Sequence, residues 1–83
     1  VHEATKRLKR ELDEIQLHID ELEARKKDID EQLADPDLYN DIPAWRAVSD
    51  ERASIERKLE RAYPKWETLE LQIEEAVLKA SAD

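Results

Sequence analysis

"LADPDLYNDIPAW", residues 33–45, interrupts a chain that otherwise reads as helix, and it holds two of the three prolines, Pro36 and Pro43. A residue before proline is pushed out of the helical region, so Asp35 ends a first helix near Ala34. Asp41 has the side chain of an N-cap. Pro43 follows in the first turn, where its missing N–H would be unpaired anyway. Two helices joined by so short a connection are antiparallel neighbours. At the tip of such a hairpin Leu33, Trp45 and Val48 would stand open to water. Leu38, Tyr39 and Ile42 lie just there, where a solvated loop would be polar. They are expected to plug the open end. The alternative is a docking surface formed by Leu38, Tyr39 and Trp45, with an aromatic as its anchor.

The flanking segments carry the same message. Before the break, Leu8, Ile15, Leu22 and Ile29 alternate with Leu12, Ile19 and Leu33 at steps of three and four. That is a heptad seam, with Lys26 at its one vacant position. After the break the seam is Trp45, Val48, Ile55, Leu59, Ala62, Trp66, Leu69 and Ile73, with Arg52 at the vacancy. Folding the chain about residue 39 sets Leu22 against Ile55, Ile19 against Leu59, and Lys26 beside Arg52. The flanks then place Arg25 opposite Glu51, Glu11 opposite Lys65, and Lys9 opposite Glu70. The spacing predicts helices over about 4–34 and 42–80, with a tip at 35–41, in one all-α, two-helix antiparallel coiled-coil hairpin. Lys26 and Arg52 repel in that reading, and leucine at both positions is expected to stabilise the fold.

Composition bounds the rest. The chain has 83 residues, 43% of them charged, and no glycine, cysteine, methionine or phenylalanine. Few turns can be built without glycine. No disulfide or thiolate chemistry is available, and no apolar run approaches the ~18 residues of a membrane span. No signal-peptide pattern opens the chain, and a cytoplasmic setting is expected. Pro64 falls within the second apolar period, which continues past it to Ile73, so a kink rather than a stop is expected there. Leu17 and Leu71 fall off the seam. Val77 and Leu78 are expected to cover the open end of the hairpin or to contact another part of the protein.

Catalytic chemistry has little to stand on, and no catalytic, cofactor-binding or metal site is expected. His2 and His18 are separated by roughly 24 Å of helical rise and cannot share a metal. Both read as surface histidines. Asp35, Asp37 and Asp41 crowd the tip, but a calcium loop needs a glycine and a final glutamate, and Arg46 occupies the latter's place. Helix capping accounts for them better.

The functional signal is basic and outward-facing. Lys6, Arg7 and Arg10 lie on the outer face of the first helix, and Arg57, Lys58, Arg61 and Lys65 on the outer face and flank of the second. The run "RKLERAYPK" (57–65) is locally positive within a chain of net charge −8. Tyr63 and Trp66 lie beside it, a mixture suited to nucleic acid. The competing reading is a solvated face, with Trp66 in the core.

The order "LKRELDEI", a heptad helix, "LADPDLYND" at a turn, a second helix and "ERAYPKWETLE" resembles the C-terminal coiled-coil extension of ABC-F family ATPases of the Uup type, over residues 6–72. In that family the hairpin ends in Ala-aromatic-x-x-Trp-Glu-x-Leu-Glu. Here these are Ala62, Tyr63, Trp66, Glu67, Leu69 and Glu70. The resemblance implies a cytoplasmic parent ATPase using ATP and magnesium at upstream sites, and an extension that contacts DNA or the ribosome and its RNA. It implies a module without catalysis of its own, and a monomer is expected over a dimer. The turn also resembles the tip of the helical hairpin in peptide chain release factors. That leaves a protein-interaction arm or spacer as the alternative.

Overall fold

The computed structural model describes residues 2–82, apart from the side chains at positions 2, 4 and 82. Helix α1 runs His2–Leu33 and helix α2 runs Ile42–Ala82. A 3-10 turn, Pro36–Asn40, lies between them. The described residues form an all-α antiparallel hairpin, a rod of 65 × 15 × 15 Å. The length follows from the 41 residues of α2, which rise about 61 Å at ~1.5 Å each.

Among the described residues, the core is the seam. Ile19, Leu22, Ile29, Ile55, Leu59 and Ala62 are buried, and Ile15, Leu33, Val48 and Trp66 pack against them half-buried. Among the described residues, Ile29 alone is completely enclosed. Burial therefore peaks between the middle of the rod and the tip, and falls toward the termini.

Two aspartates shape the turn. The Asp35 side chain accepts from the Asp37 N–H at 3.0 Å, and Asp41 accepts from the Ala44 N–H at 3.2 Å. Each satisfies an amide that a helix start leaves unpaired. The last turn of α1 is satisfied from the tip, because the Tyr39 hydroxyl donates to the Leu33 carbonyl at 3.1 Å. The expected plug is only partly present. Leu38 is half-buried, but Tyr39 and Ile42 are 56% and 54% exposed. The Tyr39 hydroxyl reaches back to Leu33 and its ring lies 6.4 Å from that of Trp45, so the ring lies over the end of the seam and stays largely open to water, while Ile42 starts α2 on the outer side of the seam.

The α2 helix continues through Pro64 without a break. Proline offers no N–H to the Glu60 carbonyl, but Glu60 is exposed and water can serve it. Thr68 donates its hydroxyl to the Pro64 carbonyl at 2.9 Å. Val77 and Leu78 do not cover the end of the hairpin. They are 47% and 62% exposed, and the half-buried residues near that end include Thr5, Leu8, Ile73 and Ala76.

The basic layer differs from the sequence expectation. Arg52 donates to Asp30 across the hairpin at 2.7 Å and to Glu56 one turn on at 2.6 Å. Its charge is met by two carboxylates rather than opposed by Lys26. Replacing Arg52 would strand them, so the gain expected of a double leucine substitution belongs to Lys26 alone. Lys26 is half-buried and has no ion pair among the described residues. Lys26→Leu is expected to raise stability by about 1 kcal/mol, a rise in Tm of about 4–8 °C. Arg52→Leu should lower the Tm. Thermal melts of the two single variants check both signs.

Arg25 grips Glu51 with two of its nitrogens, Nε to Oε1 at 2.6 Å and Nη2 to Oε2 at 2.9 Å. This is the register that folding about residue 39 requires. Glu11–Lys65 and Lys9–Glu70 do not close to ion pairs among the described residues, since long exposed side chains gain little by pairing. The hydrogen bond from Arg25 draws the Glu51 carboxyl below its ordinary value. A carboxyl lowered in the folded state adds stability above its unfolded value, about 4.3, and loses it as pH falls through the folded one. Arg25→Gln lacks this increment at neutral pH. The Tm difference between wild type and variant should therefore shrink as pH is lowered through and below the ordinary glutamate range. Comparing the two chains cancels the relief of self-repulsion that acid brings to any acidic protein.

Candidate nucleic-acid interface

Helical geometry separates cation from core along α2. Ile55, Leu59, Ala62 and Trp66 turn inward, which carries Arg57, Lys58, Arg61 and Lys65 to the outside, and all four are exposed. Their spacing of three and four residues lines them along one side of the helix over about 12 Å. Lys58, Arg61 and Lys65 border a shallow groove with His18 of α1, floored by Ile15 and Ala62. Arg61 donates from Nε to the Arg57 carbonyl at 3.4 Å, which leaves its Nη groups facing solvent. Among the described residues, none of the four cations is in an ion pair.

The other three candidates form a separate patch. Lys6, Arg7 and Arg10 are exposed on α1 near the open end of the rod. Arg7 faces a groove it shares with Glu11, Gln72, Glu75 and Lys79. Carboxylates stand among these cations and dilute their field. None of Lys6, Arg7 and Arg10 lines the groove bordered by Lys58, Arg61 and Lys65, so the two basic clusters do not share a groove.

The aromatic residues of the run are engaged elsewhere. The Tyr63 hydroxyl donates to the Glu23 carboxylate across the hairpin. That hydrogen bond, with partial desolvation, raises the Tyr63 phenol above its ordinary value. Trp66 is half-buried against the core. The Tyr63–Glu23 contact was not foreseen from sequence. Folding about residue 39 sets Tyr63 level with Ile15 rather than with Glu23, so the spacing carries no signal for this contact.

At the tip, Leu38 and Trp45 are half-buried and Tyr39 is exposed. The Tyr39 and Trp45 rings are 6.4 Å apart at 37°. Asp35 and Asp41 serve the backbone as caps. Among the described residues, no group of three or more His, Cys, Asp or Glu could hold a metal ion. His18 is exposed at the rim beside Lys58, and the His2 side chain lies outside the described residues. No described helix is long and apolar enough to cross a membrane.

The described residues form a two-helix hairpin with a single apolar seam and a capped acidic turn. The chain belongs to the ABC transporter C-terminal domain family, whose profile matches residues 3–71. Comparison with curated proteins and with solved structures gives no match.

Proposed function

We propose that the chain is the C-terminal hairpin of an ABC-F type ATPase of the Uup kind, a cytoplasmic protein, and that it contacts DNA or ribosomal RNA through Arg57, Lys58, Arg61 and Lys65. The observation that carries this reading is the row of four exposed cations on one side of α2, free of ion pairs among the described residues. In a chain of net charge −8, that row is where phosphates meet attraction rather than repulsion. ATP and magnesium are handled by the parent protein, outside this module. The module works as a single closed hairpin and catalyses nothing itself.

The mode of contact follows from the aromatic residues. Tyr63 is held by Glu23 and Trp66 by the core, so neither is free as a platform for unstacked bases. The strip therefore grips backbone phosphates without reading sequence, and duplex suits it as well as single strand. Binding is weak and strongly salt-dependent. Four phosphate contacts would give a slope of log K on log salt of about −3.6 for a duplex. Anisotropy of a labelled duplex and a labelled single strand, titrated from about 50 to 200 mM salt, tests this. The expected result is weak binding of both that falls steeply over the range. No binding at the lowest salt would overturn the proposal.

A further inference from the structure

The charge of the rod is unevenly distributed along its length. Between Lys27 and Arg46 there is no lysine or arginine, but there are six carboxylates: Asp28, Asp30, Glu31, Asp35, Asp37 and Asp41. Asp28 and Asp30 are partly met by Arg25 and Arg52 from outside this stretch. Glu31 and Asp37 have no ion pair among the described residues. The two most exposed apolar side chains of the turn region, Tyr39 and Ile42, project from this acidic end.

We propose that the tip is a docking knob for a protein, and that its partner presents an apolar pocket rimmed by lysine and arginine. Charge complementarity selects this occupant. An acidic end repels phosphate, so the tip and the cation strip of α2 address opposite kinds of surface. The knob is also set in advance. The Tyr39 hydroxyl is bonded to the Leu33 carbonyl and its ring leans toward Trp45, so little side-chain freedom is lost when it docks. A rod 15 Å across buries little area end-on. The contact is therefore of the weak, transient kind and depends on its anchors. Different residues carry this inference and the nucleic-acid reading, so each can fail alone.

The test uses the whole chain, isotope-labelled, and an amphipathic peptide of leucine and lysine set at helical period. Amide signals of residues 35–42 are expected to shift on titration with the peptide. Ile42→Ser should weaken binding by about tenfold. So should the pair Glu31→Lys and Asp37→Lys, whose side chains take no part in the caps. The pair Arg57→Glu and Arg61→Glu should leave the peptide site in place. Circular dichroism confirms that each variant keeps its helices. Shifts confined to the acidic stretch 67–75, or affinity unchanged by Ile42→Ser, would overturn the proposal. So would equal affinity for an oligolysine without leucine, because charge alone would then account for binding.

Discussion

Ile29→Ala is expected to cost the hairpin about 3 kcal/mol or more, within the range for large-to-alanine truncation in a core. Among the described residues Ile29 is the one side chain with no exposed surface, and it sits between Leu22 and Leu33 on the α1 seam. A rod has no second layer to collapse into the cavity. Among the described residues six make up its buried core, so the loss falls on a small reserve. Domains of this size are marginal even when compact. The variant should show a large drop in Tm and reduced helicity at ambient temperature. Leu17→Ala, on a side chain 60% exposed, should change the melt by less than about 0.5 kcal/mol. Equal effects of the two substitutions would mean that the seam is not where the hairpin is held together.

Arg57→Glu with Arg61→Glu is expected to remove most nucleic-acid binding while leaving the fold intact. Both residues are exposed, one turn apart, and make no ion pair among the described residues. Reversal replaces two of the four cations with anions, so the local charge of the strip falls from four positive to balanced. The salt slope should shrink by about 2, or about 0.9 per lost duplex contact. At the lowest salt the affinity should drop by at least about tenfold. Lys6→Glu with Arg10→Glu should do less, because Glu11 and Glu75 already stand beside that patch. Anisotropy titrations of both double variants, with circular dichroism as the control for folding, separate the two clusters.

The seam was legible in the sequence because a heptad is a local signal. Steps of three and four name the inward face before any partner is known. Asp41 as an N-cap and Asp35 as the end of α1 were legible for the same reason, since proline and aspartate act within one turn. What escaped depends on where the second helix comes to rest. Asp30 as the partner of Arg52, and Glu23 as the partner of Tyr63, require the register to within one residue and a choice of rotamer. Neither is written in the spacing of one helix. The tip escaped for a different reason. Leu38, Tyr39 and Ile42 are alike in polarity, and which of them faces inward is set by the path of the 3-10 turn that carries the chain between the helices. The seven candidate cations were each correctly read as outward-facing. Their division into two patches follows from the antiparallel pairing, which sets Arg7 beside Gln72, Glu75 and Lys79 rather than beside Arg61.

The proposed nucleic-acid contact lies along one side of α2. The side-chain Nε–H signals of Arg57 and Arg61 test it most directly when the labelled chain is titrated with duplex DNA at low salt. Saturable shifts of these two signals are predicted, with amide shifts over residues 57–65, all reversed by added salt, while residues 35–42 stay unmoved. Shifts centred on residues 6–10 or on the tip, with Arg57 and Arg61 unchanged, would contradict it.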